Sequence, residues 1–228
     1  MKRMKFLLVA CLLGIAATAS AQFVNSGSSS SAGSTTGDVW EGLRVSYMPM
    51  TMVYDVTGAE DTDLTGFSLG YVKSFGVSST APLFVETGLN LSYATYSEEK
   101  EEGKYYSAEV KLNMMSLTAP VNLVYKYALS EEVSILPYAG VYLRGNLFGK
   151  YKTETSYDGE TESTKLDLFD EKDMGKDGVY KRLQLGWQIG VGSHYNNIAL
   201  RLSYGKDFSE IAKKTKVATT TMSVGLNF

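Results

Sequence analysis

Apolar and polar residues alternate along most of the chain from Trp40 to its end. Residues 183–191 have the sequence LQLGWQIGV, and residues 219–228 have the sequence TTTMSVGLNF. A repeat of two residues places alternate side chains on opposite faces of a β-strand, whereas an amphipathic helix requires a repeat of 3.6 residues. The pattern therefore predicts an all-β fold.

Eight segments with this repeat are long enough to form strands. They are 40–50, 64–75, 83–96, 105–127, 133–149, 179–193, 197–207 and 216–228. Within 105–127 the apolar positions change parity near Met115, which predicts a β-bulge in that strand, and Pro120 fits such a disruption.

The connections alternate between short and long, as in an antiparallel up-and-down barrel. Short connections at 76–82, 128–132 and 194–196 follow the second, fourth and sixth strands. The longest connection, 150–177, has nine acidic and five basic residues and no apolar periodicity. We expect it to be an exposed and mobile loop, because it cannot bury enough apolar surface to offset the entropy lost on ordering.

The residues opposite the apolar positions indicate which environment the strands occupy. A soluble sheet carries Lys, Glu and Arg on its water face, but here that face is mostly Gly, Ser, Thr, Asn and Gln. Small polar side chains suit the crowded interior of a narrow barrel, and the apolar face then contacts lipid, with some of the 16 tyrosines at its borders. We therefore predict an eight-stranded antiparallel transmembrane β-barrel. A soluble barrel or sandwich with an aromatic core is the alternative.

The N-terminus has the features of an export signal. Lys2, Arg3 and Lys5 precede an apolar run, and Ala19-Ser20-Ala21 form a small-residue cleavage site. The predicted organisation is a signal peptide at 1–21, a Ser/Gly-rich flexible tether at 22–39 and the barrel at 40–228. A lipoprotein acylated at Cys11 is the alternative, since Leu8-Val9-Ala10-Cys11 is similar to a lipobox.

Charge and cysteine content argue against nucleic-acid binding and against cysteine-based sites. Removal of residues 1–21, which carry three positive charges and no acid, changes the formal net charge from −3 to −6. An acidic chain without basic patches is a poor nucleic-acid binder. Cys11 is the only cysteine, so the mature chain would have neither disulfides nor cysteine-based metal sites.

Two stretches resemble a known family. Leu117-Thr-Ala-Pro-Val-Asn-Leu-Val-Tyr-Lys-Tyr127 and Leu136-Pro-Tyr-Ala-Gly-Val-Tyr-Leu143 are similar to the porin family outer-membrane β-barrel domain, and the architecture resembles OmpA/OmpX-type barrels. The resemblance covers about residues 40–228. It implies a Gram-negative outer membrane, contact with outer-membrane lipid, and recognition of the final Phe228 by the barrel-assembly machinery.

No catalytic or cofactor-binding motif is evident. His194, the only histidine, lies in a predicted exposed turn at 193–197, and the acidic stretches 158–162 and 167–173 lack the ligand order of a calcium loop. We expect no cofactor and no metal, and we do not expect an enzyme.

The barrel interior holds the most specific candidate site. Four polar or charged residues lie at positions that alternate with the apolar ones, so their side chains should face the interior. Counted from the short-turn end of each strand, they also lie at a similar depth. They are Arg44, Glu86, Gln188 and Arg201. An unpaired buried ion costs several kcal/mol, so we predict an ionic network among them, similar to the lumen networks of OmpA-type barrels. Alternatively, the two arginines reach periplasmic water.

Three functions remain compatible with such a barrel. The first is a structural or surface-interaction role, with a possible extracellular ligand at the charged outer loops. The second is a narrow passage for solutes, although the side chains of an eight-stranded barrel fill its interior. The third is a component of a secretion or assembly machine.

Overall fold

The structure, a computed structural model, describes residues 39–78, 80–101, 106–157 and 160–228. The predicted signal peptide with Cys11, and the predicted tether except Val39, lie outside these residues. The described chain forms eleven strands and one helix. In chain order they are β1 (Glu41–Tyr47), β2 (Met50–Tyr54), β3 (Thr62–Gly76), β4 (Leu83–Glu101), β5 (Tyr106–Tyr125), β6 (Tyr127–Ala128), β7 (Val133–Tyr157), β8 (Glu160–Asp167), α1 (Glu171–Gly178), β9 (Leu183–Tyr195), β10 (Ile198–Asp207) and β11 (Thr215–Asn227).

Eight of the described strands form one closed antiparallel ring. Its order is β1, β3, β4, β5, β7, β9, β10 and β11, and β11 pairs back with β1 through Leu43↔Leu226. A ring has no free edge, so neighbouring strands satisfy the backbone N–H and C=O groups that lipid cannot. The predicted eight-stranded barrel is therefore confirmed, and each predicted strand has its counterpart in the ring.

The first strand of the barrel is interrupted. After β1 the chain passes through Met48 and Pro49, and β2 then continues between β11 and β3. Proline has no N–H to donate, but its carbonyl accepts a hydrogen bond of 3.0 Å from the Thr220 N–H. The predicted segment 40–50 is thus the first part of a longer, broken strand.

The two faces of the ring differ as the alternation predicts. The outward face carries a continuous band of exposed apolar side chains, larger than the apolar patches of soluble proteins. It includes Leu43, Val45, Leu69, Leu91, Val121, Leu123, Val141, Leu185, Ile189, Leu200, Leu202, Val224 and Leu226. The inward face carries small polar side chains that bond across strands, such as Ser46 to Ser223 at 2.9 Å and Ser92 to Ser116 at 2.7 Å.

The bulge predicted in the fourth strand lies instead in its neighbour. Met115 pairs with Phe148 and Ser116 with Asn146, so Leu147 of β7 is the extra residue. A bulge adds one residue to one strand and shifts the parity of all later residues in that strand. Side chains of β7 therefore face inward at even numbers up to Asn146 and at odd numbers after Leu147.

The parity of β5 itself does not change. Its even-numbered residues from Leu112 to Val124 all face the interior. The change of parity was predicted because Leu112 and Met114 are apolar and were therefore expected to face lipid. They instead face the apolar part of the interior. Pro120 interrupts only the pairing with β4, between Thr87↔Val121 and Asn90↔Thr118.

The described part of the connection 150–177, which was predicted to be an exposed and mobile loop, contains strands and a helix. β7 continues to Tyr157, and β8 returns along it from Tyr157↔Glu160 to Lys150↔Asp167. The Asp170 side chain then caps α1 by accepting from the Lys172 N–H. Strand pairing satisfies the backbone of this charged segment without apolar burial. Most of its described side chains are exposed, as predicted, but the segment forms strands and a helix rather than a loop. Its mobility stays a prediction.

An apolar cluster fills the interior at the end that carries the long connections. Leu168 and Ile211, both from connections, are almost completely buried in it. The strands contribute the other buried members, which are Met50, Met52, Leu64, Ala94, Leu112, Met114 and Val217. We call these nine residues the apolar cap.

No helix in the described part of the chain is long and apolar enough to cross a membrane.

Candidate functional site

A buried ion pair crosses the barrel interior near the end with the short turns. Both terminal nitrogens of Arg201 (β10) donate to the two carboxylate oxygens of Glu86 (β4), and the two side chains are only 7% and 1% exposed. The Trp40 indole Nε1 donates to Oε2 of the same carboxylate at 2.8 Å. Bidentate, charge-assisted bonds of this kind are among the strongest in proteins.

Trp40 closes the short-turn end of the interior. Its backbone N–H donates to Ser74 Oγ at 2.7 Å, and that hydroxyl donates back to the Trp40 carbonyl at 2.9 Å. The indole ring packs on Phe84 with centroids 4.9 Å apart. With Val124, Leu136 and Tyr138 these two aromatic residues form a second buried cluster, which we call the Trp40 plug.

The structure brings together only two of the four residues of the predicted network. Arg44 is buried, but it donates to Asn227 Oδ1 at 2.5 Å and to the Leu43 carbonyl at 3.0 Å. No carboxylate of the described residues lies within ion-pair distance of it. Gln188 donates to Asn122 Oδ1 at 2.6 Å. All four residues line the same interior cavity, but Glu86 and Arg201 alone pair directly.

A second buried ion pair, which was not predicted from the sequence, lies on the same inward face. Arg144 (β7) contacts the carboxylate of Asp207 (β10), which also accepts a 2.7 Å hydrogen bond from the Tyr142 hydroxyl. Asp207 has the same parity as Arg201 in β10, and this parity would have placed it inside. It escaped notice because it ends its strand, where a charged residue is also expected in water.

Two tyrosines of β7 fill the interior by lying over glycines of β9. Tyr138 pairs with Gly190 and Tyr142 with Gly186, and a Cβ atom at either glycine would overlap the tyrosine ring. The cavity left between the Trp40 plug and the apolar cap is about 100 Å³. A polar cavity of this size has room for a small cluster of waters.

The prediction that His194 lies in an exposed turn was wrong. His194 is the penultimate residue of β9, it faces inward, and it is 6% exposed. Its ring meets the edge of the Trp40 ring at 5.3 Å. The turn begins later, at Asn196, whose φ of 50° suits asparagine better than most residues.

Four strands extend beyond the barrel at the long-connection end. Tyr93 and Phe148, whose rings are 6.5 Å apart, are the last outward aromatic residues of β4 and β7. Above them β4, β5, β7 and β8 form what we call the projecting sheet. It comprises 96–101, 106–113, 150–157 and 160–167.

Charges on the outward face of the projecting sheet are sorted into rows. Lys111, Lys152 and Lys165 lie directly opposite one another on β5, β7 and β8. The next outward row contains Glu109 and Glu154. Lys111 Nζ and Lys152 Nζ each lie 2.5 Å from the glutamate on their own strand. The hydrogen bond between Glu109 and Lys111 lowers the pKa of the carboxyl group and raises the pKa of the amine.

Within residues 39–78, 80–101, 106–157 and 160–228, no three His, Cys, Asp or Glu side chains are grouped to hold a metal ion.

Phe228 follows β11, is 71% exposed, and donates its N–H to the Glu41 carbonyl at 3.0 Å. It continues the outward apolar positions 222, 224 and 226. Its recognition by the assembly machinery stays a prediction.

Comparison with known proteins gives the family. The profile of the outer membrane protein beta-barrel domain matches residues 23–209. The chain belongs to this family. The protein is therefore located in the cell outer membrane, as predicted, and it is an outer-membrane β-barrel protein of Gram-negative type. No curated protein matches its sequence significantly.

Solved structures of small outer-membrane proteins are similar to this barrel. The attachment invasion locus protein Ail of Yersinia pestis is 18% identical with a TM-score of 0.41, covering 84% of this chain and 99% of Ail. Neisserial surface protein A is 15% identical with a TM-score of 0.40, covering 82% and 97%. The outer membrane enzyme PagL is 13% identical with a TM-score of 0.46, covering 80% and 98%.

Membership of this family orients the barrel. Outer-membrane barrels have short turns on the periplasmic side and long connections on the outside. The Trp40 plug therefore lies at the periplasmic end of this barrel. The apolar cap closes the outer end, and the projecting sheet rises above the outer leaflet.

Proposed function

We propose that this protein is a non-catalytic surface-interaction barrel that presents the projecting sheet to an extracellular ligand. The barrel serves as a rigid anchor, and the ligand binds outside the membrane. The observation that carries the proposal is the continuation of the barrel strands β4, β5 and β7, joined by β8, beyond the aromatic residues Tyr93 and Phe148. Over eight residues, such a strand extends roughly 25 Å.

The edges of the projecting sheet are available for a partner. The last pair between β4 and β3 is Thr65↔Thr95, so β4 has no described neighbour on that side above Thr95. On the opposite side, β8 pairs with β7 alone among the described strands. An exposed strand edge offers unpaired N–H and C=O groups to which an extended segment of another protein can add.

The closed interior supports a surface role over the passage of solutes. The Trp40 plug and the Glu86–Arg201 pair occupy the periplasmic end, and the apolar cap occupies the outer end. Between them the cavity of about 100 Å³ is lined mainly by polar side chains, several of which bond to one another across strands. A solute could cross only after both closures had moved.

The experiment combines a conductance measurement with a shortened hairpin. Residues 154–163 are replaced by Asn-Gly, which joins the paired residues Thr153 and Thr164 through a two-residue turn. Whole cells carrying wild type or the shortened variant are tested for adherence to immobilised proteins and polysaccharides. We expect closed traces in planar bilayers for both proteins, and adherence that is lost on shortening.

A variant with an altered periplasmic turn serves as the control. Asn196→Gly keeps a residue that tolerates positive φ and should leave adherence unchanged. Steady wild-type conductance would favour the passage role instead. Unchanged adherence of the shortened variant, together with a stable copurifying envelope complex, would favour a secretion or assembly component.

A further inference from the structure

The row of lysines on the projecting sheet is an arrangement that strand pairing alone does not favour. Lys111, Lys152 and Lys165 occupy directly opposed positions on three adjacent strands. Like charges that are directly opposite destabilise a sheet. Lys150 lies one outward position below, opposite Asn113 and Asp167. We call these four residues the lysine row.

The lysine row lies just above the apolar band of the barrel. Lys152 follows Phe148 by four residues, and Lys111 precedes Met115, the residue opposite Phe148, by four residues. Four residues correspond to about 13 Å along a strand, and a tilt of about 40° reduces the height to about 10 Å. The flexible stem of lysine lets its ammonium group reach back toward the membrane. The four ammonium groups are therefore within reach of the lipid headgroups.

The order of charges away from the membrane is also specific. The apolar band comes first, the lysine row second, and Glu109 and Glu154 third. Internal ion pairs would form equally well if the two charged rows were exchanged. The observed order places Lys111, Lys152 and Lys165 nearer the membrane surface than their partners Glu109 and Glu154, and the row below them has one lysine, Lys150, opposite one carboxylate, Asp167. This order complements a layer of negatively charged phosphate groups.

We propose that the lysine row is a docking site for the phosphate groups of phosphorylated glycolipid in the outer leaflet. The surface is continuous with the lipid-contacting band and is complementary in charge to the proposed ligand. The inference depends on the outer-membrane location alone and is independent of the proposed surface-interaction role. On binding, the ammonium groups of Lys111 and Lys152 either leave their carboxylate partners, Glu109 and Glu154, for a lipid phosphate or contact both at once.

The test measures glycolipid binding to the purified, folded barrel. Diphosphorylated lipid A is titrated into detergent-solubilised protein, and bound lipid is counted by native mass spectrometry. The variant carries Lys111→Gln, Lys152→Gln and Lys165→Gln. Each lysine near an anionic surface contributes to the free energy of lipid binding. Loss of three such contributions should weaken lipid A binding by about 10- to 100-fold.

A matched control removes the same number of charges elsewhere. Lys172→Gln, Lys176→Gln and Lys181→Gln alter exposed lysines in and after α1 and should leave lipid A binding within about twofold. The variant with Glu109→Gln and Glu154→Gln should bind lipid A more tightly, because it frees Lys111 and Lys152 from their partners. Heat-dependent migration on gels checks that every variant retains the barrel.

Four outcomes would overturn the proposal. They are equal binding by wild type and the lysine-row variant, equal weakening by the control variant, equal binding of lipid A from which both phosphates have been removed, and full competition by inorganic phosphate. The last of these would indicate a site for free anions rather than for lipid headgroups. None of these measurements depends on adherence, so this proposal and the proposed function can fail separately.

Discussion

Replacing Glu86 by alanine should destabilise the barrel more than any exposed charge substitution. The carboxylate accepts two hydrogen bonds from Arg201 and one from Trp40 Nε1, and all of it is buried. Glu86→Ala leaves the Arg201 guanidinium inside without a counter-charge, because Asp207, the other buried carboxylate among the described residues, is bonded to Arg144 and Tyr142. The substitution also removes the acceptor that fixes the Trp40 plug.

The expected loss follows from the cost of breaking a buried pair. Removing one partner of a buried ion pair costs about 3–5 kcal/mol, and the lost Trp40 hydrogen bond adds about 1 kcal/mol. Replacing both partners by apolar residues of similar size is often neutral. The double variant Glu86→Leu with Arg201→Met should therefore recover most of the loss. Combining Glu86→Leu with Arg44→Met should recover little, because Arg44 bonds to Asn227 and to carbonyl groups instead.

Equilibrium unfolding in urea, with the barrel refolded into lipid vesicles, measures these free energies. Glu41→Ala is the matched control, since the Glu41–Lys73 pair is exposed and such pairs contribute little to stability. An unfolding midpoint for Glu86→Ala equal to that of Glu41→Ala would refute the reasoning. Equal rescue by Arg44→Met and Arg201→Met would show that the predicted network, rather than the observed pair, stabilises the barrel.

Two further predictions concern the filling of the interior. Gly186→Ala should cost about 1–3 kcal/mol in the same unfolding assay, because the new methyl group overlaps the Tyr142 ring. Gly145→Ala should be nearly neutral, because its new methyl group meets only the Leu117 carbonyl oxygen, at an ordinary contact distance of 3.9 Å. A Trp187→Phe variant keeps Trp40 as its only tryptophan, and acrylamide should quench its fluorescence weakly, since Trp40 is 6% exposed. Strong quenching in the folded barrel would mean that the periplasmic end is open.

The sequence was sufficient to predict the strands and the lipid-facing side, because both depend on a local repeat of two. The same repeat correctly put Glu86 and Arg201 on the inward face. It could not identify their pairing, because Glu86 and Arg201 are 115 residues apart. Which inward side chains meet depends on strand tilt and register, and neither is encoded within one strand.

Three further errors come from two assumptions, namely that inward residues are polar and that polar or charged residues next to a turn are exposed. Leu112 and Met114 are apolar yet face inward, because the outer end of this lumen is filled by the apolar cap. His194 is polar and next to a turn, yet it packs on Trp40. The charged residues of β8 are ordered by pairing with β7, although they bury little surface.

The bulge at Leu147 links the closed lumen to the charged outer surface. Without the extra residue, the even numbering of β7 would continue, and Lys150 and Lys152 would face the apolar cap while Tyr151 faced outward. Burying two ammonium groups among methionine and leucine side chains would cost several kcal/mol each. The bulge instead directs Tyr151 toward the apolar cap and both lysines outward beside Lys111. Because of this one inserted residue, β7 can contribute both to the apolar cap inside the barrel and to the lysine row outside it.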